Sequence, residues 1–374
     1  NGKNNRRETM GDPIPLLEKL VKIDSSTKSG VNQAIAYCEE WLKKRGLPVK
    51  KLENNGYHML VSELGKGDKT IILNGHIDVI EADEKQFQPY IEEGKLYGRG
   101  SADMKAGVAA MMETMDQLKK MNPNCKVQLQ IVPDEETGGI NGTKYLTEQG
   151  YIGDFIICGE PTNLGIAIQS KGVLQLDFTL EGKPAHGSRP WEGKNAIKEA
   201  YDLYEDILQL PFALETAPPM FDKPSINLAK IKAGTVYNKV PEKCEMSLDI
   251  RFLPDQSPEE IFKQIKDITK GEVHIHILND PVKTKEDNPF VLSLAESLTS
   301  QTQLERANLY GQHGSNDGQY FTKYGGSAVE FGPAGFDWHG NKEMVYVESV
   351  RAYQNVLVDF VLSCSGIEKA ISSG

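Results

Sequence analysis

Residues 69–78 read KTIILNGHID, and this stretch decides how the rest of the chain is interpreted. The nearly continuous β-branched and aliphatic run over residues 69–74 is typical of a β-strand that is covered on both faces, as in a parallel sheet. His76 and Asp78 follow it and lie two residues apart, so they point to the same side if the extended geometry persists. The strand therefore delivers an imidazole and a carboxylate to its carboxyl end.

This pair has a possible chemical role. Asp78 can accept one ring proton of His76, which fixes the tautomer and leaves the other ring nitrogen free to face a metal ion. A polar loop is the alternative when the pair is considered alone. The metal interpretation gains weight only from similar segments elsewhere in the chain.

Other apolar runs also end in metal-type side chains. They are followed by Asp103 in GRGSADMKAG, Glu135 and Glu136 in DEETGG, Glu160 in GEPT, and His339 in DWHGN. Each has an ordinary alternative: a helix cap, an acidic turn, a surface glutamate and a packed histidine, respectively. Together with His76 they supply donors for two divalent ions, with one carboxylate left to handle a proton. The set predicts a two-metal hydrolase.

Two of these segments carry further signals. The three consecutive carboxylates of DEETGG would repel one another unless a cation lay among them. GRGSADMKAG lacks the third glycine and the Gly-Lys-Ser/Thr of phosphate-binding loops, which excludes that function. We predict a helix over residues 102–120 with Asp103 in its first turn, where the helix dipole favours a carboxylate that could bridge two cations.

The order of the elements predicts the fold class. Strands predicted at residues 69–74, 126–132 and 154–158 alternate with helical patterns at residues 102–120 and 142–150. This alternation is typical of an α/β protein with a mostly parallel sheet flanked by helices. In such sheets functional sites gather at the carboxyl ends of the strands, where every proposed ligand lies.

The pattern changes near Lys171. Strands are predicted at residues 172–180, 225–231, 243–252 and 272–277, and helices at residues 193–208 and 257–269. Two strand–helix–strand units in this order are typical of a ferredoxin-like α+β layer. We therefore predict an inserted domain over residues 171–287 within a discontinuous metal-binding catalytic domain of residues 1–170 and 288–374.

Composition limits the class of protein. The chain has 374 residues, 39% of them hydrophobic and 25% charged, which is ordinary for a globular protein of two domains. Its net charge of −11 argues against nucleic acid or an anionic membrane as a partner. No apolar run approaches the roughly 18 residues of a membrane span, and the first residues do not read as a signal peptide. We expect a cytoplasmic protein.

Read in order, the motifs resemble those of a known family. NGHID, GRGSADMKAG, DEETGG, GEPT, PAHGS, GTVYNKVPEKC, DIR and the late His339 with Glu343 are similar to the co-catalytic dizinc amidohydrolases and metallopeptidases. This is the family of acetylornithine deacetylase, succinyl-diaminopimelate desuccinylase, aminoacylase and glutamate carboxypeptidase. The resemblance implies a zinc exopeptidase-like fold and covers nearly the whole chain.

The resemblance also implies a ligand set. His76, Asp103 and Glu160 would hold one zinc ion, and Asp103, Glu136 and His339 would hold the other, with Asp103 as the bridge. A cis peptide bond is implied after the bridging residue, between Asp103 and Met104. Cobalt or manganese can substitute for zinc with such nitrogen and oxygen donors.

Roles for other residues follow from the same resemblance. Glu135 would take the proton of the attacking water and pass it to the departing amine, while Asp78 orients His76. His186 would stabilise the oxyanion from the opposite subunit, and Asn238 would act in trans with it. These roles in trans imply a homodimer formed through the inserted domain.

Substrate contacts are predicted with less detail. Arg251 in DIR resembles a residue that grips a substrate carboxylate, and a sheet-surface ion pair is its alternative. Gly314 belongs to a glycine-rich turn, GSNDGQYF, that lies at the substrate in relatives. Asn316 of that turn departs from the serine or threonine often found there, so its role stays open. His274 and His276 share a strand face that we interpret as solvated.

The sequence thus predicts a metal-dependent amidohydrolase that removes an N-acyl group from an amino acid or related carboxylate-bearing amine. The nearest alternative is a dipeptidase or aminopeptidase with the same dizinc centre, acting on a dipeptide-like substrate. A non-catalytic ligand-binding homologue is the alternative from a different class.

Overall fold

A computed structural model describes residues 11–372 of the chain, with side chains described up to Cys364. The chain divides into two compact units. The first contains the chain up to Ile168, Thr284–Leu309 and the chain from Asn316 onward, and the second contains Gln169–Lys283 and Tyr310–Ser315. The assignment of residues 171–287 to dimerisation and to a lid stays a prediction.

The first part of the chain alternates helices and strands. Its elements are α1 (Pro13–Val21), α2 (Lys28–Lys44), β1 (Lys50–Asn54), β2 (Tyr57–Leu64), β3 (Thr70–His76), β4 (Tyr90–Glu92), β5 (Lys95–Tyr97), α3 (Lys105–Lys119), β6 (Lys126–Val132), α4 (Tyr145–Glu148), β7 (Phe155–Cys158) and β8 (Ile166–Ser170).

The middle of the chain forms the second unit. Its elements are β9 (Gly172–Glu181), α5 (Ala196–Ile207), α6 (Pro211–Leu214), β10 (Ser225–Ala233), β11 (Lys243–Phe252), α7 (Pro258–Ile268), β12 (Glu272–Asn279) and β13 (Val282–Lys283). The antiparallel sheet has the order β10-β11-β9-β12, and Phe178, Met246, Leu203 and Ile265 lie in its core. This strand order and the β-α-β-β-α-β sequence confirm the predicted ferredoxin-like layer.

Apart from Tyr310–Ser315, which belong to the second unit, the last part of the chain completes the first unit. Its elements are α8 (Pro289–Gln301), β14 (Leu309–Gln312), α9 (Gln319–Thr322), β15 (Ser327–Glu330), β16 (Gly335–Phe336), β17 (Met344–Tyr346) and α10 (Val347–Ser372). Among the described residues, no helix combines the length and the hydrophobicity that crossing a bilayer requires.

The central sheet of the first unit has the order β1-β2-β6-β3-β7-β15-β8. Strand β3 pairs in parallel with both β6 and β7, and β15 pairs in parallel with β7. Ile71, Ile72 and Leu73 of β3 are fully buried, as expected for a strand covered on both faces. The predicted α/β class with a mostly parallel central sheet is confirmed.

Helices α8 and α10 pack against this sheet through aromatic rings. The ring of Phe155 in β7 stacks on Phe290 of α8, with 5.2 Å between centroids, and lies 5.7 Å from the ring of Phe360 in α10. Phe155 and Phe360 are fully buried. These contacts join segments that are distant in the chain into one core.

One sequence-based prediction about local structure is wrong. Helix α3 begins at Lys105, so Asp103 precedes the helix and does not lie in its first turn. The backbone N–H groups of Ala102 and Asp103 donate to the side chain of Glu343, which holds this segment as a loop. The helix predicted at residues 142–150 is confirmed with shifted bounds: it begins as a π-helical turn, Ile140–Lys144, and continues as the short α4.

A small antiparallel sheet of order β16-β17-β5-β4 was not predicted. Its strands are only two or three residues long, too short to show a periodic pattern in the sequence. The turn between β16 and β17 carries His339.

Replacing Phe155 with alanine is expected to destabilise the first unit by about 3–5 kcal/mol, because it opens a cavity beside the rings of Phe290 and Phe360. Urea unfolding followed by circular dichroism measures the change. Phe336→Ala is the control, since Phe336 is 54% exposed and its removal should leave the midpoint nearly unchanged. Equal midpoints for Phe155→Ala and the parent protein would contradict this account of the core.

Candidate metal centre

The parallel strands β3, β6 and β7 end at one edge of the sheet. Their register pairs His76 with Val132 and Asn74 with Cys158. The turn that holds Glu135 and Glu136 follows β6, and Glu160 lies two residues after β7. The sheet therefore brings an imidazole and three carboxylates to one place.

One group of donors consists of His76, Glu135 and Glu160, whose ligand atoms all lie within 4.8 Å of one another. Nε2 of His76 is 3.7 Å from Oε2 of Glu160 and 3.9 Å from Oε2 of Glu135. His76 is buried, with 1% of its surface exposed. These distances leave room for a small cation among the three side chains.

A second group consists of His76, Asp103 and Glu136, and His339 adjoins it. Nε2 of His339 is 3.0 Å from Oε1 of Glu136 and 3.3 Å from Oδ2 of Asp103. The other carboxylate oxygen of Asp103 is 3.1 Å from Nε2 of His76. Asp103 thus presents one oxygen to each histidine, which is the arrangement a bridging carboxylate requires.

Asp78 contacts residues of both groups of donors. Its two carboxylate oxygens accept hydrogen bonds from the backbone N–H groups of Glu135, at 3.2 Å, and Glu136, at 3.0 Å. Nδ1 of His76 lies 3.0 Å from the backbone oxygen of Asp78 and 3.4 Å from its carboxylate. A proton on Nδ1 is held by these acceptors, so Nε2 is the nitrogen free to bind a metal.

The buried carboxylates have shifted pKa values. Burial raises the pKa of Glu135 well above its ordinary value, and the charge of Glu160 adds to this effect. Burial raises the pKa of Glu160 to about 7, although His76 opposes the shift. Burial alone would lower the pKa of His76, but the nearby Glu160 and hydrogen bonds to Asp103 and Asp78 raise it well above 6.5.

The outer histidine is also affected. Its hydrogen bond with Asp103 raises the pKa of His339 to about 9. Burial opposes ionisation of Asp103, but hydrogen bonds from His339 and His76 hold the pKa of Asp103 below its usual range. Protons therefore offset the excess negative charge, and a divalent cation could replace them because it favours neutral imidazole and ionised carboxylates. Two imidazoles and several carboxylates suit zinc, cobalt or manganese.

The other predicted site residues lie in the second unit. The N–H of Ser188 donates to Nδ1 of His186 at 3.2 Å, and the N–H of Gly187 donates to the backbone oxygen of Asn238 at 2.8 Å. His186 and Asn238 therefore lie on neighbouring segments. A side chain at Gly314 would meet no atom within 4 Å.

The surroundings of Arg251 and of the pair His274 and His276 bear on two further predictions about the second unit. The guanidinium of Arg251 pairs with both carboxylate oxygens of Asp249 at 3.0 Å. His274 and His276 are exposed, 3.7 Å from Glu272 and Asp177 respectively, and the ladder is irregular between Ile275 and Ile277. Among the described residues, neither histidine belongs to a group that could hold a metal ion.

Residues 316–320 brace the turn that carries Glu135, a contribution that the sequence did not reveal. The hydroxyl of Thr143 donates to Asp317 at 2.5 Å, and burial raises the pKa of Asp317 to about 7. The hydroxyl of Tyr320 donates to the backbone oxygen of Gly138. Asn316 donates to Glu330 and accepts from the N–H of Gly318 at 2.7 Å, so it shapes the turn.

The peptide bond between Asp103 and Met104 is cis, as the resemblance implied. Asp103 lies in a loop stabilised by Glu343, whose role the motif around His339 does not reveal.

Zinc binding at pH 7 is expected to release at least one proton per chain. Before binding, the raised pKa of His339 keeps its imidazole protonated, and an imidazole that binds zinc must be neutral. Titration calorimetry in buffers of different ionisation enthalpy measures the number released. The His339→Asn variant should release fewer protons. A binding enthalpy that is independent of the buffer would contradict this description of the site.

The family comparison agrees with this geometry. Residues 72–363 match the sequence pattern of Peptidase family M20/M25/M40. The chain is 32% identical over 321 residues to the [LysW]-lysine/[LysW]-ornithine hydrolase of Saccharolobus solfataricus, covering 85% of this chain and 86% of that one. It is 27% identical over 300 residues to the acetylornithine deacetylase of Vibrio parahaemolyticus, covering 75% of this chain and 79% of that one.

Solved structures share the fold. The aminopeptidase PepT from Bacillus cereus superimposes with a TM-score of 0.80 at 19% identity, covering 95% of this chain and 98% of that chain. The M20 family metallo-carboxypeptidase Sso-CP2 from Sulfolobus solfataricus also has a TM-score of 0.80 at 19% identity, covering 94% and 99%. The resemblance inferred from the ordered motifs is confirmed: the chain belongs to Peptidase family M20/M25/M40, a family of amide-bond hydrolases.

Proposed function

We propose that the protein is a dizinc amidohydrolase that removes an N-acyl group from an amino acid or a related amine that carries a carboxylate. The observation that carries the proposal is the position of Asp103, which offers one oxygen to His76 and the other to His339. Membership of the family implies a divalent metal ion, typically zinc. The number and identity of the ions are part of the proposal.

The proposed ligands divide into two sets that share Asp103. His76 and Glu160 would complete one set, and Glu136 and His339 the other, in line with the distances between their donor atoms. Two bound divalent ions would supply a water of lowered pKa, near about 7, and polarise the scissile carbonyl. The remaining chemistry falls to the side chains.

Glu135 is the proposed general base. Its Oε2 lies 3.9 Å from His76, beside the proposed ligands, and burial raises its pKa. A carboxylate whose pKa is raised can take a proton from the attacking water and return it to the departing amine. The geometry also allows Glu135 to be a ligand, so its role needs a direct test.

The second unit would supply substrate contacts. The N–H of Ser188 occupies Nδ1 of His186, which leaves Nε2 to carry the ring proton of the neutral imidazole and to donate it to an oxyanion. We propose that His186, with Asn238 beside it, acts in the site of the partner subunit of a homodimer. Arg251 would bind the substrate carboxylate through N–H groups that Asp249 does not use, and Gly314 would lie against the substrate.

Relatives support the substrate class. The curated relatives include a [LysW]-lysine/[LysW]-ornithine hydrolase, a probable succinyl-diaminopimelate desuccinylase and an acetylornithine deacetylase. These names describe amides of amino acids, which favours a deacylase. A peptidase is the second candidate, because the aminopeptidase PepT shares the fold.

The variant Glu135→Gln is expected to keep its metal ions and to lose about 10²- to 10⁴-fold in kcat, because the neutral amide cannot accept the proton. Elemental analysis and steady-state assays measure the two properties. Glu148→Gln, at an exposed position of α4, is the matched control and should behave like the parent. Hydrolysis at the parental rate by Glu135→Gln would eliminate it as the base.

A substrate panel separates the deacylase from the peptidase. With zinc or cobalt added, N-acetyl- and N-succinyl-amino acids are expected to show kcat/KM at least about tenfold above dipeptides, a difference of about 1.4 kcal/mol in transition-state binding. Amides that lack the carboxylate should be poorer substrates, because Arg251 would have no partner. Faster cleavage of dipeptides would favour the peptidase. Failure to hydrolyse any amide would favour a ligand-binding homologue.

A further inference from the structure

Glu343 is a buried carboxylate outside the proposed ligand set, with 1% of its surface exposed. Its Oε1 accepts hydrogen bonds from the backbone N–H groups of Ala102 and Asp103, each at 3.0 Å. Its Oε2 accepts from the N–H of Gly100 at 3.0 Å and from Nη1 of Arg99 at 2.6 Å. One side chain therefore fixes the backbone of the whole segment that ends in Asp103.

Arg99 extends this network to the loop of His339. Its Nη2 donates to the backbone oxygen of Gly340 at 3.0 Å. The amide of Gln86 donates to the same oxygen at 3.0 Å. The backbone N–H of Gly98 also donates to the backbone oxygen of Glu343 at 3.0 Å. The peptide group between Gly340 and Asn341, one residue beyond His339, is thus attached to the loop that carries Asp103.

His339 needs such support for two reasons. Its φ of 65° lies in the left-handed region, which is unfavourable for a residue with a side chain and persists only where the surroundings impose it. Its side chain is 48% exposed, so packing of the ring does not determine its position. Its position depends instead on the polar contacts of the ring with Glu136 and Asp103 and on the hydrogen bonds that hold the backbone of Gly340.

We propose that the buried Arg99–Glu343 pair is a positioning unit for the metal site formed by Asp103, Glu136 and His339. This inference rests on the proposed metal centre and adds residues that contact neither ion nor substrate. A buried ion pair is a poor source of stability compared with packed apolar side chains. Its hydrogen bonds instead place two ligand-bearing loops at one spacing.

The two metal sites should differ in their dependence on this pair. His76 ends β3 and Glu160 follows β7, so the ladder of the central sheet fixes their backbone. His339 lies in a turn of the small sheet, where Arg99 holds it through Gly340. Loss of the pair should therefore weaken the ion held by Glu136 and His339 more than the ion held by His76 and Glu160.

The test is a stepwise cobalt titration of the metal-free full chain, followed by absorbance and calorimetry. Glu343→Gln removes the charge and turns an NH₂ group toward backbone donors. We expect this variant to bind the ion of Glu136 and His339 about 10- to 100-fold more weakly and to lose much less affinity for the ion of His76 and Glu160. With both ions saturating, kcat should recover while KM stays unchanged, because no substrate contact is lost.

Two further variants complete the design. Arg99→Lys keeps a positive charge beside Glu343 but cannot reach both Glu343 and Gly340, so it should also weaken the ion of Glu136 and His339 more than the other ion. If circular dichroism shows that Glu343→Gln does not fold, the Arg99→Lys variant alone tests the positioning role. Glu113→Gln is the matched control, because Glu113 is a buried acid of α3 in the same unit with 5% exposure and lies outside this network. It should bind both ions like the parent.

The titration of the parent protein comes first. Binding of two ions by the parent supports the proposed metal centre, and its failure to bind them overturns that centre and this inference together. If the parent binds two ions, parental affinity for both in Glu343→Gln and Arg99→Lys overturns the positioning role alone. Equal weakening of both ions also overturns it, because the pair would then act only on general stability.

Discussion

The parallel pairing of β3 with β6 and β7 is the constraint on which the rest of the structure depends. Strands paired in parallel share a direction, so the segments after them emerge at one edge of the sheet. Here the strand ends carry His76 and three glutamates, Glu135, Glu136 and Glu160. The carboxylates of the glutamates repel one another once burial removes water from around them. The fold of the first unit thus concentrates negative charge at this edge of the sheet, and divalent cations can neutralise it. Metal binding follows from the topology together with the residues at the strand ends.

The part of the site that rests on this sheet could be predicted from the sequence. Apolar runs in the sequence predicted β3, β6 and β7. The polar residues at the end of each run are the ones that converge at the metal centre. The ferredoxin-like unit was likewise visible in its alternating strands. Both depend on local periodicity, which a sequence displays directly.

The rest could not be predicted, because it depends on contacts between distant residues. The strands around His339 have two or three residues and depend on pairing with segments that are distant in the chain. Asp103 was placed inside a helix because the residues around it favour one. The carboxylate of Glu343 instead accepts hydrogen bonds from the N–H groups of that segment and holds it as a loop. A buried glutamate far along the chain leaves no periodic signal, although its position after His339 in a motif was a clue.

The proposed metal centre holds two divalent ions, one on either side of Asp103. A crystal structure of the zinc-loaded protein, with anomalous data collected on both sides of the zinc absorption edge, is the decisive measurement. We expect two zinc peaks that share Asp103, one between His76 and Glu160 and the other between Glu136 and His339. Peaks at other side chains, or none in this cluster, would contradict it.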